Sequence, residues 1–348
     1  MDKRIYRAID ANINRSLEGI RVCEDIFRFI YNSPLAVNFK KIRHEIRFNL
    51  EKFPKRSLLN SRLVPEDKQK FKNLPSENTR TNLEVILTVN FHRSLEALRS
   101  LEEFSKLFDS QLGHNFQKIR FKTYKLEKKA LFYISKLNIL NKFNQSLYAI
   151  IDSNFVKNNN YVQTTKHLIA GGVDLIQLRI KNRAAQNTLL IAKDISKICR
   201  QHKVIFIVND YPDIAFLAKA DGVHLGENDI SIKESKSILS GEMIIGKTTS
   251  SLTKALKASR EGADYISCGP LYSTKSKTGK LLKGIGIDEF KKIRKNIKIP
   301  LVAIGGLNLN RIKTVKDLGA DSFALISSLY KNNNIEENCQ AFSQKIKG

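Results

Sequence analysis

The sequence predicts an α/β protein, a (β/α)8 barrel of the TIM type preceded by an all-α domain with an internal repeat. Three observations carry this expectation. Glycine is unevenly divided: Gly19 and Gly113 are alone in residues 1–145, and fifteen more follow. Strand–loop–helix units need tight turns that helical bundles do not. Apolar residues of the first part recur near the 3.6 period, at Leu17, Ile20, Phe27 and Ile30 and again at Leu95, Leu98, Leu101 and Phe104. The remainder alternates short β-rich runs with amphipathic helical sequence. The expected domains are therefore a helical one over residues 1–142 and a barrel over 146–348. A doubly wound sheet is the alternative for the second.

The helical part repeats itself. Asn14–Asp25 matches His92–Glu103 at an offset of 78 residues, and Asn38–Arg43 matches Asn115–Arg120 at an offset of 77. Two helical hairpins related by a pseudo-twofold account for this. Between them, from Pro54 to Asn82, Pro54, Pro65 and Pro75 predict an irregular connector. Arg15, Glu18, Arg21 and Asp25 fall within one or two turns of each other. Ion pairs within the helix, each worth about 0.2–0.5 kcal/mol, are one reading. A polar pocket between the repeats, for an anion or a subunit contact, is the other.

In the second part the β-rich runs are Leu147–Ile151, Leu175–Leu178, Ile205–Val208, Gly222–Leu225, Ile244–Gly246, Tyr265–Cys268, Leu301–Ile304 and Ser322–Leu325. Helical sequence such as Ala185–His202 and Ile287–Asn296 separates them. Barrels of this kind carry function where the strands end. The second run ends in Gln177, Arg179 and Lys181, which alternation points the same way. The third ends in Asn209-Asp210, the fourth in Gly226-Glu227-Asn228-Asp229, and the fifth in Thr248-Thr249-Ser250-Ser251. The sixth runs from Gly269-Pro270 through Thr274 and Ser276 to Lys277. Gly305-Gly306 closes the seventh, and Ile326-Ser327-Ser328 the eighth.

The chemistry of those ends is consistent. Backbone N–H groups at Gly305-Gly306 and Ile326-Ser327-Ser328 occupy the usual phosphate position after strands seven and eight. Asp210 and Asp229 are hard oxygen ligands suited to Mg²⁺ shared with substrate phosphates. Arg179, Lys181 and Lys277 can hold a second polyanion, with Thr248, Thr274 and Ser276 as hydrogen-bond donors. Plainer roles stand beside these: helix caps for the aspartates, a tight turn for Gly305-Gly306, and a solvated loop for Lys275, Lys277 and Lys280. His224 reads as a satisfied core histidine.

Composition bounds the function class. The net charge of +26 invites a nucleic-acid partner. Residues 1–145 and 146–348 contribute +13 each, however, with no basic tail or block. A diffuse basic surface fits small anionic substrates better, so no nucleic acid is expected. Cys23, Cys199, Cys268 and Cys339 form neither a CxxC pair nor a disulfide framework, which suits a reducing compartment. No apolar run is long enough to span a bilayer and the N-terminus lacks an apolar signal core, so a cytoplasmic protein without a membrane partner is expected.

At the strand ends the chain resembles the thiamine-phosphate synthase (thiamine-phosphate pyrophosphorylase) family. The carriers are Gln177-Leu178-Arg179-Ile180-Lys181, Val208-Asn209-Asp210, Ala220-Asp221-Gly222-Val223-His224-Leu225-Gly226, Gly262-Ala263-Asp264-Tyr265, Gly269-Pro270-Leu271-Tyr272-Ser273-Thr274, Ile304-Gly305-Gly306 and Gly319-Ala320-Asp321, in that order. The resemblance implies transfer of the pyrimidine of 4-amino-5-hydroxymethyl-2-methylpyrimidine diphosphate to 4-methyl-5-(2-phosphooxyethyl)thiazole, giving thiamine phosphate and diphosphate. It implies that Gln177, Arg179, Lys181, Asn209, Thr248 and Lys277 contact the pyrimidine diphosphate. Thr274, Ser276, Gly306, Ile326 and Ser327 would bind the thiazole phosphate, and Asp210 and Asp229 would hold Mg²⁺. No protein nucleophile or base is implied. Ile180, Glu227 and Thr248 depart from the family pattern; Ile180 should face away from the site, and Glu227 should add a carboxylate near the metal. The related thiazole tautomerase would need neither the Asp210/Asp229 pair nor Arg179 and Lys181. Residues 1–142 resemble the helical extension of some members, through Asp10-Ala11-Asn12, Asn14-Arg15 and Glu18-Gly19-x-Arg21. A homo-oligomer is possible, with docking or oligomerisation as roles for that extension.

Overall fold

The computed structural model describes residues 2–62, 79–275 and 281–348. The chain divides into two compact units, Met1–Ile134 and Ser135–Gly348, each with its own apolar core. No helix among the described residues is long and apolar enough to cross a membrane.

The first unit is helical, as its periodicity predicts. Helix α1 (Lys3–Asp25) starts where the Asp2 carboxylate accepts the Arg4 N–H at 2.8 Å, satisfying a donor that the first turn leaves unpaired. A π-helical turn (Ile26–Ile30) and α2 (Ala36–Leu50) follow. The expected connector contains a short helix, α3 (Lys55–Asn60), and residues 63–78 of it lie outside the described residues. Helices α4 (Leu83–Ser105) and α5 (Ser110–Asn141) carry the second copy of the repeat.

The repeat is visible as pairing between equivalent positions. Ser94 Oγ donates to the carbonyl of Ser16, its counterpart 78 residues earlier, at 3.3 Å. A Cβ on Gly19 would sit 2.3 Å from Ser94 Oγ and 2.7 Å from Asn90 O, so only glycine lets α1 and α4 approach this closely. One buried ion pair occurs twice: Arg43 Nε to Glu24 at 2.6 Å, and Arg120 Nε to Glu102 at 2.9 Å. Arg21 and Asp25 form an exposed pair one turn apart along α1, at 3.0 Å, which is the plainer of the two readings for that face.

In the second unit eight parallel strands close in sequence order: β1 (Ser146–Asp152), β2 (Leu175–Arg179), β3 (Ile205–Asn209), β4 (Gly222–Leu225), β5 (Ile244–Thr249), β6 (Tyr265–Cys268), β7 (Leu301–Ile304) and β8 (Ser322–Leu325), with β8 pairing β1. Each β-rich run of the sequence is a strand, and the barrel rather than the doubly wound sheet is formed. Its outer helices are α6 (Tyr161–Ala170), α7 (Ala185–Gln201), α8 (Pro212–Leu217), α9 (Ile232–Ile238), α10 (Leu252–Glu261), α11 (Ile287–Asn296), α12 (Leu309–Asp317) and α13 (Ile335–Lys347).

The recurring Ala-Asp and Val-Asp steps before the even strands have a structural role. Asp174, Asp221, Asp264 and Asp321 accept the N–H groups of Leu147, Phe206, Ile245 and Leu301 at 2.9, 2.7, 2.8 and 2.7 Å. Each therefore fastens the start of an odd strand to the even strand after it. Gly262 and Gly319, with φ of 87° and 84°, make the left-handed turns leading into two of these steps. Inside the barrel Tyr148, Ile150, Leu175, Ile207, Tyr265 and Val302 fill the lumen, and Phe143, at the end of the segment entering β1, packs 4.8 Å from the Tyr265 ring. The lumen is thus a packed core and not a pore.

Candidate functional site

All described candidates lie at the C-terminal ends of the strands or in the loops after them. Parallel pairing places every strand's C-terminus on one rim, which is why residues far apart in sequence meet there. The site has two chemically different halves.

The first half, at β1–β4, is charged. Arg179 ends β2 and donates to Asp152, a fully buried carboxylate at the end of β1. Lys181 donates to Asp210, which follows β3 with φ of 67°. Asp229 accepts the Gly226 N–H at 2.6 Å and is within hydrogen-bond reach of Asp210. Burial raises the Asp210 carboxyl, but the hydrogen bond with Asp229 and the Lys181 ammonium outweigh it and hold the group below the usual carboxylate range. For Asp229, burial and the neighbouring Asp210 act together and hold it above that range. Two carboxylates in contact repel unless a proton or a cation lies between them. Asn209 is buried beside them.

The second half, at β5–β8, is a cavity of about 200 Å³ lined by Thr248, Thr274, Gly305, Gly306, Ile326, Ser327 and Ser328 among others. Both glycines have positive φ, 96° and 66°. A Cβ on Gly305 would lie 2.5 Å from the Pro270 Cβ, and one on Gly306 would lie 2.7 Å from the Tyr272 Cβ. The pair is therefore more than a turn, because it lets backbone close on backbone at the cavity wall. Arg311 lies over the Tyr272 ring at 4.1 Å and donates to Gly306 O at 2.5 Å, bracing that wall from outside. Ser276 and Lys277 lie outside the described residues.

Three expectations are sharpened or corrected. Ile180 is buried in the apolar layer beneath the outer helices, facing away from the rim as expected. Glu227 does not join the Asp210/Asp229 pair: its carboxylate accepts Ser250 Oγ at 2.8 Å and Lys254 Nζ at 2.8 Å, and these bonds hold it below the usual range. His224 is a satisfied core residue as expected, yet one of its partners is Thr248 of the site, at 2.8 Å. Sequence reasoning missed Asp152, although a carboxylate closing an apolar run is the signal used for Asp210. It also missed Tyr148 and Tyr265, whose phenol groups lie within otherwise apolar runs. Among the described residues there is no group of three or more His, Cys, Asp or Glu that could hold a metal.

Comparison with known proteins places this geometry in context. A family model described as thiamine monophosphate synthase matches residues 147–329, and one described as the ThiD2 family matches residues 7–129. Thiamine-phosphate synthase of Synechocystis sp. is 35% identical over 332 residues, covering 95% of this chain and 93% of its relative. That of Prochlorococcus marinus strain SARG is 33% identical over 329 residues, covering 94% and 92%. Among solved structures, thiamine phosphate pyrophosphorylase from Pyrococcus furiosus aligns with a TM-score of 0.55 and 32% identity, covering 60% of this chain and 98% of that one.

Proposed function

The chain belongs to the thiamine-phosphate synthase family, and on that premise we propose how the two halves of its barrel rim divide the reaction. The charged half takes the diphosphate of 4-amino-5-hydroxymethyl-2-methylpyrimidine diphosphate, its pyrimidine ring reaching Gln177 and Thr248 where the halves meet, and the rest of the cavity takes 4-methyl-5-(2-phosphooxyethyl)thiazole. The observation that supports this division is the contrast itself. Arginine, lysine and paired carboxylates sit at β1–β4, while hydroxyls and backbone N–H groups line the cavity at β5–β8.

Mg²⁺ is part of the proposal, and the residues fit it. Asp210 and Asp229 are in contact at a half-buried position, and only one of them is held above the usual range. A hard divalent cation with one or two protein carboxylates and substrate phosphates as its other ligands suits such a pair. When bound it would neutralise charge on the departing diphosphate.

The protein's own groups do the remainder. Arg179 and Lys181, joined by Lys277, meet charge developing on the leaving oxygen as the carbon–oxygen bond breaks and the electron pair leaves with diphosphate. The pyrimidine ring stabilises the benzyl-like cation that remains. Thr274, Ser276, Gly306, Ile326 and Ser327 hold the thiazole phosphate so that the thiazole nitrogen faces that carbon, and the new carbon–nitrogen bond forms there. Positioning and charge suffice, so no protein nucleophile or base is invoked. A cytoplasmic setting belongs to the same proposal, supported by four cysteines that are all free, buried thiols.

The test is incubation of the purified protein with both phosphates and Mg²⁺, with thiamine phosphate followed by mass spectrometry. Product is expected, and a folded protein that makes none would overturn the reading. Asp210→Ala should lower turnover at least about a hundredfold, the scale of losing a charge-stabilising group, with an unchanged circular dichroism spectrum. Retained turnover would remove Asp210 from the metal site.

A further inference from the structure

A chain of hydrogen bonds crosses the barrel lumen from one side of the site to the other. Gln177 Nε2 donates to the Tyr148 hydroxyl at 2.8 Å, and the Tyr148 and Tyr265 hydroxyls are 3.0 Å apart. Tyr265 lies 3.0 Å from His224 Nδ1, and His224 Nε2 lies 2.8 Å from Thr248 Oγ1. The His224 and Tyr265 rings stack with centroids 5.6 Å apart. Room for that stack comes from β5, where a Cβ on Gly246 would fall 2.0 Å from the Tyr265 ring. Gln177, Tyr148, Tyr265 and His224 are 3%, 1%, 0% and 5% exposed, so bulk solvent does not reach the chain.

Burial of this degree gives the chain a direction. A phenol has one hydrogen to donate, and a neutral imidazole donates from one nitrogen while accepting at the other. Burial pushes both tyrosines well above their ordinary values, so both keep their hydrogens. With the Gln177 amide donating to Tyr148, the Tyr148 hydrogen goes to Tyr265 and the Tyr265 hydrogen goes to His224 Nδ1. His224 is then the Nε2–H tautomer and donates to Thr248. Only the complete reversal of every bond is equally self-consistent. In the direction that starts from the Gln177 amide donating, Gln177 Oε1 remains an acceptor at one end and the Thr248 hydroxyl remains a donor at the other.

We propose that Tyr148, Tyr265 and His224 are positioning residues that fix the hydrogen-bond polarity of Gln177 and Thr248 and thereby select an aminopyrimidine. The exocyclic amino group of such a ring donates, and the adjacent ring nitrogen accepts. An oxo-pyrimidine with the same skeleton presents the opposite order and meets an acceptor with an acceptor. Sites built to hydrogen-bond a group discriminate strongly against ligands that leave buried polar atoms unpaired. The specificity part of this inference rests on the placement of the pyrimidine at Gln177 and Thr248; the direction of the chain does not.

The experiment has one arm for each. In the full chain labelled with ¹⁵N-histidine, with His224 assigned by comparison with His224→Asn, Nε2 should be protonated and Nδ1 unprotonated. The opposite tautomer would overturn the proposal even if the enzyme is active. Tyr265→Phe should change the His224 Nδ1 signal and raise KM for the pyrimidine diphosphate about tenfold, the scale of one lost hydrogen bond, with kcat and the KM for thiazole phosphate little changed. Its preference in kcat/KM for the amino over the oxo substrate should fall by a similar factor. An unchanged preference together with an altered His224 signal would leave a structural network and overturn the specificity role. Tyr148→Phe breaks the same chain and carries the same expectations if Tyr265→Phe does not fold. Absence of product from the wild-type chain would strike the proposed reaction and leave the tautomer result standing.

Discussion

Asp221 sits at the opposite end of the barrel from the candidate site, and its carboxylate is one of four that fasten a strand start. Burial is the largest influence on it and raises its carboxyl above the ordinary 3.8, against the hydrogen bond from the Phe206 N–H and the charges of Lys142 and Arg200. A folded-state value above the unfolded one means that the folded chain holds the proton more tightly. The stability this contributes is complete below the unfolded value and is lost as pH rises through the folded one. Asp221→Asn cannot titrate but still offers an oxygen to the Phe206 N–H. Wild type should therefore lose stability relative to Asp221→Asn as pH rises from the ordinary carboxylate value through the raised folded-state one. Urea unfolding at stepped pH measures this, and a pH-independent difference would exclude Asp221 as the group responsible. The same residue-level reasoning separates Glu227 from Asp210 and Asp229. Three acids that follow the adjacent strands β3 and β4 meet different partners: Asp210 and Asp229 meet each other, and Glu227 meets Ser250 and Lys254.

At the scale of elements, the helical repeat reproduces an ion pair as well as an apolar pattern. The side chain of Glu102 is 2% exposed and accepts from Arg120 at 2.9 Å and Arg99 at 2.5 Å. Removing its charge strands Arg120 in a mostly buried position, a change that typically costs about 3–5 kcal/mol. Glu102→Gln should lower the urea midpoint accordingly, and Glu24→Gln, acting on Arg43, should do the same in the equivalent pair. A loss well under about 1 kcal/mol, the level of a surface pair, would show that solvent reaches these arginines. In the barrel, each strand pairs with the next in parallel and β8 pairs with β1, which closes the sheet. The four aspartates at the strand starts tie neighbouring strands, so the Ala-Asp and Val-Asp steps belong to architecture.

For the whole molecule, the decisive feature is where one compact unit ends. The division falls between Ile134 and Ser135, inside α5, and the last part of that helix belongs with the barrel. Ile139 and Leu140 pack against the luminal core, and Phe143 is fully buried within it. A chain beginning at Ser135 should therefore keep turnover and both KM values, since every described site residue lies beyond it. A chain beginning at Gln145 loses Phe143 and should be destabilised by about 3–5 kcal/mol, the scale of deleting a buried phenylalanine. Equal stability of the two truncations, measured by thermal unfolding, would refute this role for Phe143.

Much of this was legible in one dimension because the signals are local. A strand's apolar run, a helix's 3.6 period, a duplicated segment and a glycine-poor half each depend on neighbours in sequence. Parallel strands then force their C-terminal ends onto one rim, so Gln177, Arg179, Asp210, Asp229, Thr248, Gly306 and Ser327 could be read from strand order. Side-chain partnership had no such signal. That Glu227 turns to Lys254, that Asp152 holds Arg179, and that Tyr148, Tyr265 and His224 join Gln177 to Thr248 depend on distances between residues tens of positions apart. Sequence by itself determined the helical unit, the barrel and which residues lie on its rim. Only the tertiary structure decided which of those groups are paired, because hydrogen bonds and charge pairs are set by separations of a few ångströms that no local pattern encodes.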